Sequence, residues 1–354
     1  MTQARDLADL AGSADAGGLT GRNIVINGAM RVAQRGTSST TTGYGSVDRW
    51  KNSYSGGTST GSQESLTSSD TPYGLGFRNY FRLTNTSTAS GTGDYRQMVQ
   101  VIEAQNLANS GWNYTSASSY VTLSFWVRSS VAGKYGIILV ANNSPAYQFA
   151  FTETLVADTW TKVTKTIPGN SNLVFNNDNA AGLTLAIVAW YGTDYTDSGS
   201  TSDSWVAFDT SVYFPTDIVN WAGTSSATFD VTGVQLEVGS TPTPFEHEDF
   251  GTTLKKCERY YELMGSAVYV GSTSYGMVGV EYADGSNWLE APFKTEKRSD
   301  SAVVAFINGF SWVSGPSHSG VGKYGAQWYL AGSFLANVSG DKSGLPVQEV
   351  KDEI

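Results

Sequence analysis

The sequence predicts a mainly β fold: a jelly-roll or β-sandwich domain followed by one helix and a smaller C-terminal β domain. Three observations carry this expectation. The 354 residues include 39 Gly, 19 Tyr and 10 Trp, whereas charged residues make up only 15%. That mixture suits strands joined by turns, since helices draw on Ala, Leu, Glu and Lys. Apolar and polar residues alternate over several short stretches, and those stretches are separated by Gly, Asn, Ser and Asp, the residues of turns. Hydrophobic residues at 40% are ample for a core, which argues against disorder.

Residues 1–12 suit a short helix with Leu7, Leu10 and Ala11 on one side, and Asp15, Gly17, Gly18 and Gly21 then make a hinge. Residues 1–22 thus read either as an attachment segment, because a short amphipathic piece cannot bury its apolar face alone, or as a frayed terminus. Residues 23–250 read as the sandwich. Val121, Leu123, Phe125 and Val127 share one face of a strand, as do Leu183, Leu185 and Ile187. Residues 147–152, 160–167 and 204–208 are shorter candidates. Over 227–238, Phe229 and Val231 keep one phase while Val234, Leu236 and Val238 keep the other. The slip falls at Gly233 and predicts a β-bulge or a bend between sheets.

After Pro242 and Pro244, Leu254, Cys257, Tyr261 and Met264 recur at spacings of three and four, with Gly265 as a terminal cap. This spacing predicts a connecting helix over 251–265, with Cys257 as a packed thiol on its apolar side. Residues 266–354 return to strand character at 268–270, 278–280, 302–306 and 327–330, with turns at 283–286 and 308–309 and a polar tail.

The formal net charge of −10 disfavours nucleic acid as a partner. A single cysteine excludes an intrachain disulfide. The first residues lack a signal-peptide core, and no run of about 18–20 apolar residues predicts membrane insertion. Synthesis in a cytoplasm, with release by lysis or assembly, is the expectation.

Catalytic constellations are scarce. Only His247 and His318 exist, and neither accompanies a nucleophile-elbow serine. In the 246–249 run Glu246, His247, Glu248 and Asp249, neighbours in an extended chain point to opposite sides, so the run reads as a polar linker rather than a metal site. No HExxH, CxxC, phosphate-binding loop or dinucleotide fingerprint occurs. The chain is therefore expected to be no enzyme and to need no cofactor, although paired carboxylates keep glycoside cleavage as an alternative.

The loop over 190–205 joins two strands and is flanked by Trp190 and Trp205. Tyr191 and Tyr195 offer ring faces for sugars, and Asp194, Asp197 and Asp203 offer acceptors for sugar hydroxyls or ligands for a structural calcium ion. The competing reading makes Trp190 and Trp205 core residues and leaves the loop simply solvated.

Two stretches add a resemblance. GRNIVINGAMRVAQRG at 21–36 precedes SVDRW at 46–50, while VTGVQLEVG at 231–239 precedes TPFE at 243–246, Leu254 and CERYY at 257–261. In this order they resemble a family of phage structural proteins known from marine and cyanobacterial phages and labelled tail fibre or virion structural protein. The resemblance covers roughly residues 1–264 and, more weakly, 293–298. It implies a carbohydrate-binding-module-like jelly roll, a homotrimer, attachment to other virion proteins through residues 1–22, and contact with a host cell-surface glycan. A capsid decoration or head-fibre protein and a glycan-degrading tailspike are the alternatives. Within the shared motifs, Ile24, Val25, Ile26, Met30 and Val32 read as short strand segments, Asp48 and Arg49 as a pair beside buried Trp50, and Arg259 with Tyr260 and Tyr261 as pins between helix and sheet. These are structural roles.

Overall fold

The structure is a computed structural model that describes residues 21–200, 203–264, 278–281, 287–298, 303–306, 317–322, 325–330, 348–351 and 353. The chain divides into two compact units, the first ending at Phe250 and the second comprising Gly251–Glu353.

The first unit is a β-sandwich of two six-stranded sheets. One sheet runs, in spatial order, β1 (Ser38–Ser39), β3 (Thr58–Ser65), β4 (Asn79–Ser87), β12 (Thr228–Val238), β6 (Tyr120–Ser129) and β9 (Thr161–Pro168). The other runs β11 (Trp205–Ala207), β8 (Tyr147–Leu155), β7 (Gly133–Ala141), β10 (Ala181–Tyr191), β5 (Tyr95–Glu103) and β2 (Lys51–Ser55). A short helix α1 (Ala104–Ala108) follows β5. All the pairings within these two sheets are antiparallel.

Alternation along the strands builds the core. Ile137, Leu139, Leu185 and Ile187 face Leu123, Phe125, Val231 and Leu236 inside one buried cluster, which also takes in Trp50, Trp190, Trp205 and Trp221. The two tryptophans flanking the 190–205 loop are thus core residues, each 7% exposed. In β12 the pairing with β6 slips between Thr232 and Gln235. Gly233 sits there at φ 64, and a Cβ at this position would lie 2.7 Å from the Phe77 ring. The predicted bulge is present, and it lets Val231, Val234 and Leu236 all stay buried despite their change of phase.

Residues 21–36 depart from the expected strand segments. They form turns, with Asn27 and Met30 at positive φ. Side chains do what a strand ladder would otherwise do. The Asn27 amide donates to the carbonyls of Val32 and Asp48 at 2.9 Å each, and its oxygen accepts from the amides of Arg31 and Val32. Gly28 is required by close approach, since a Cβ would stand 2.0 Å from the Val234 carbonyl oxygen. Asp48 accepts from Gln34 and lies 3.8 Å from Arg35, whereas Arg49 donates to the Val101 carbonyl at 2.6 Å.

This front segment also ties the two ends of the unit together. Ile24 donates to the Leu236 carbonyl in one sheet, and Ile26 exchanges two hydrogen bonds with the Gln100 side chain in the other. The Glu246 carboxylate accepts from the amides of Gly21 and Asn23, and Arg22 donates to Thr243 at 2.7 Å. Arg31 donates to the Glu248 carbonyl at 2.8 Å and lies over the Phe250 ring. The chain therefore comes into the sandwich and leaves it at one end, the end where β12 finishes.

In the second unit, helix α2 (Phe250–Glu258) stops short of the expected 265. Tyr261–Met264 is strand β13 instead, paired with β19 (Gln348–Lys351), which also pairs with β16 (Val303–Phe306). The helical spacing of Tyr261 and Met264 is overridden by ladder hydrogen bonds to a distant segment. A four-stranded sheet runs β14 (Val278–Glu281), β15 (Asn287–Pro292), β18 (Gly325–Leu330) and β17 (Ser317–Gly322). Cys257 is a buried thiol. Tyr260 and Tyr261 are buried, and Lys297 meets the Glu262 carboxylate at 2.6 Å with both side chains fully buried. Burial pushes the Lys297 ammonium down, against the pull of Glu262. The expected helix at 1–12, the strand at 268–270 and the turns at 283–286 and 308–309 lie outside the described residues.

Candidate functional site: a tyrosine cluster at one end of the sandwich

The sheet containing β5, β7 and β10 is apolar on both faces. Ile138, Val140, Val99, Val101, Ala186 and Val188 alternate with the core residues and form a second cluster on the opposite face. The segment after β11 covers part of it: Phe214 packs so closely over Gly136 that a Cβ there would meet its ring at 2.4 Å. The 190–205 loop and the segment around Phe214 are joined by hydrogen bonds from Asp197 to the Phe214 carbonyl and from Tyr213 to the Tyr195 carbonyl.

These two segments and the start of β5 bring four tyrosines together. Tyr95 and Tyr191 are cross-strand partners in the ladder, with ring centroids 6.1 Å apart. Tyr195, closing a single 3-10 turn over Thr193–Tyr195, lies 4.9 Å from Tyr191. Tyr213 lies 5.7 Å from Tyr191 and runs parallel to Tyr195 within 8°. Phe208, 43% exposed, extends the group by contact with Tyr213 at 6.1 Å. Tyr95, Tyr195 and Tyr213 are half-buried, so each keeps ring surface toward solvent.

Tyr191 is different, and here the sequence expectation is corrected. It is 6% exposed and its hydroxyl donates to Gln97 at 2.7 Å. It is the floor on which the other rings rest and presents no face to a ligand. The three acids named with it also separate. Asp194 accepts from Thr92 at 3.1 Å, Asp197 caps the Gly199 amide at 2.6 Å, and Asp203 pairs with Lys165. With these separate partners they do not converge as a calcium site, and among the described residues no group of three His, Cys, Asp or Glu converges as one either. Asp94 and Asp209 complete the rim: Asp94 accepts from the Gly91 amide at 2.8 Å, and Asp209 accepts from the Ser211 amide at 2.9 Å. Hydrogen bonds from Ser211 hold the Asp209 carboxyl below the ordinary carboxylate range.

Burial pushes the phenols up: Tyr191 well above the usual range, Tyr213 and Tyr195 in the same direction, and core Tyr135 to about 12 despite its hydrogen bond with Ser129. A phenol whose folded value exceeds its unfolded value of 10.0 contributes stability that is intact below about pH 10. That stability is lost as pH rises through the folded value. Alkaline unfolding is therefore expected between about pH 10 and 12, with phenolate absorbance rising together with loss of structure. Full phenolate formation near pH 10 with the sandwich intact would contradict the burial of these rings.

The sequence pointed to Tyr195 and Asp194 but missed Tyr95, Tyr213 and Phe208, which arrive from other segments. It also missed a second aromatic group, on the outer face of the sheet containing β12. There Tyr80 and Trp160 meet edge to face at 5.6 Å, and Arg128 lies 4.6 Å over Trp160. Asp230 binds Arg82 and Arg128, and Asp70 binds Arg128 and the Trp160 indole. Charge here is paired within the protein, so this face reads as a structural brace.

No protein-family model and no curated protein matches the chain. Solved structures do match part of it. The enzymatically active domain of tailspike protein 4 from bacteriophage CBA120 is 12% identical, over 61% of this chain and 21% of that one, with a TM-score of 0.34. A putative sugar-binding protein from Bacteroides thetaiotaomicron is 13% identical over 62% of this chain and 100% of the other, at 0.32. The N-terminal cellulose-binding domain of Cellulomonas fimi β-1,4-glucanase C is 11% identical over 60% and 99%, at 0.29. The chain thus spans about a fifth of the length of the tailspike domain.

Proposed function

We propose that the chain is a bacteriophage virion structural protein, a tail fibre or related appendage whose sandwich contacts a host-surface glycan without cleaving it. The observation that carries this reading is polarity. The chain comes in and goes out where β12 finishes, held by Glu246, Arg22 and Arg31. The tyrosine cluster lies where β5 begins and β10 finishes, beside the end of β4, as the Arg96 bonds to Ser55 and Ser87 show. Along β12 alone, residues 228 to 236 separate these ends by roughly 26 Å at a strand's rise. A module anchored at one end and carrying solvent-facing rings and carboxylates at the other suits attachment and contact. The motifs at 21–36 and 231–261 support the virion assignment, with residues 1–22 as the attachment segment and a homotrimer as the assembled form.

Two experiments on particles test this. Gold-labelled antibody against the chain should decorate tails, and purified chain in excess should compete with phage for adsorption to host cells. Absence of label from purified particles would overturn the virion role, and adsorption unaffected by saturating chain would overturn the host contact.

A further inference from the structure

The charges around the cluster say which saccharides it accepts. We infer that the tyrosine cluster selects glycans that carry no anionic substituent, an inference that rests on the glycan-contact reading above. The three segments framing the rings, 91–95, 192–200 and 208–217, contain Asp94, Asp194, Asp197, Asp209 and Asp217 and no Lys, Arg or His. Asp217 is matched by Lys134, and Asp203, just beyond the middle segment, by Lys165.

Arg96 is the cation next to the cluster in sequence. It is fully buried, and its guanidinium donates to the carbonyls of Ser55, Tyr95 and Ser87, so it faces the interior. The remaining carboxylates, Asp94, Asp194, Asp197 and Asp209, stand on the rim with hydrogen bonds from Gly91, Thr92, Gly199 and Ser211, and Asp94 also interacts with the buried Arg96 charge. Each leaves acceptor capacity for a sugar hydroxyl. A uronate, sialate or phosphate brought onto Tyr195 and Tyr213 would meet several like charges at once. Like-charge juxtaposition of this kind discriminates between partners more than it sets overall affinity.

The chemistry of the partner is thus a hydroxyl-rich ring that stacks on tyrosine and donates to carboxylate: a neutral hexose or a sugar bearing an uncharged amide. The test uses the full chain and matched polysaccharides, namely a glucan, a galactan and a mannan, each beside the same polymer oxidised to the carboxylate at C6. Affinity electrophoresis at low salt should show retardation by at least one neutral polymer, and about tenfold weaker retardation by its oxidised form. Raising the salt to about 1 M, where the screening length falls to about 3 Å, should close most of that gap. The paired change Asp194→Asn and Asp209→Asn should narrow it at low salt.

An oxidised polymer bound as well as its neutral parent would overturn the charge selection while leaving glycan contact standing. So would a gap that the Asp194→Asn/Asp209→Asn variant leaves unchanged. Retention of none of the six polymers would overturn the glycan contact itself, and the selection with it.

Discussion

Asn27→Ala is expected to destabilise the sandwich by about 4 kcal/mol, measured by denaturant unfolding of the purified chain. The side chain makes four hydrogen bonds, to the carbonyls of Val32 and Asp48 and from the amides of Arg31 and Val32. It is 4% exposed, so alanine would leave the Asp48 carbonyl and the Arg31 and Val32 amides without water to replace it, whereas the Val32 carbonyl keeps the Asp48 amide. Each of these three losses costs about 1 kcal/mol, and the left-handed backbone at φ 57 adds about another 1 kcal/mol for alanine. Asn27→Gly separates the two contributions, because it relieves the backbone while deleting the bonds. The damage should spread, since the turn holds Trp50 through an indole bond to the Asn27 carbonyl and places Gly28 against Val234. Stability within about 1 kcal/mol of the parent would show that this turn does not organise the front of the sandwich.

Asp230→Ala should cost about 3 kcal/mol. Asp230 stands directly opposite Arg82 on one neighbouring strand and Arg128 on the other. Its carboxylate takes Arg82 at 2.7 and 2.9 Å and Arg128 at 3.0 and 2.9 Å, while its own side chain is 1% exposed. Removing it leaves two guanidiniums side by side, the lesion that makes broken buried pairs expensive. Their exposure of 26% and 20% lets water relieve part of this, which puts the figure at the lower end of the usual range. Arg128 retains Asp70, whose carboxyl is pushed up by burial but held below the ordinary range by bonds from Thr67 and Trp160 and by the Arg128 charge. Acid should therefore release this second partner only as pH falls below about 3.8, where Asp230→Ala and parent chains are expected to lose further stability.

Much of the fold could be read from local pattern. Alternation marked β6 and β10, and the phase change at Gly233 located the bulge, because one buried face leaves a strand little choice of register. Trp190 and Trp205 could be taken as core for the same reason. The front segment could not be read this way. Val25 and Ile26 have strand composition, yet their amides donate to the Asn23 and Gln100 side chains, and no periodicity reports those. The end of α2 was hidden because Tyr261 and Met264 keep helical spacing while their pairing partner, Gln348–Lys351, lies far along the chain.

The candidate site divides along the same line. Tyr195 and Asp194 sit in one conspicuous loop, whereas Tyr95, Tyr213 and Phe208 join them only through sheet pairing and the return of the segment after β11. Tyr191 shared the composition of a binding residue but lies at the last rung of β10, where the ladder turns it under its neighbours.

Competition for adsorption, repeated with substituted chain, tests the contact at the tyrosine cluster most directly. Phe208 is the ring of choice because its exposure of 43% makes Phe208→Ala cheap for the fold. Tyr195→Ala supplies a second ring, and melting temperature monitors both variants. With melting unchanged, each should compete about tenfold less effectively than the parent, equivalent to about 1.4 kcal/mol of lost stacking. Variants that melt and compete like the parent chain would contradict a glycan contact at this cluster.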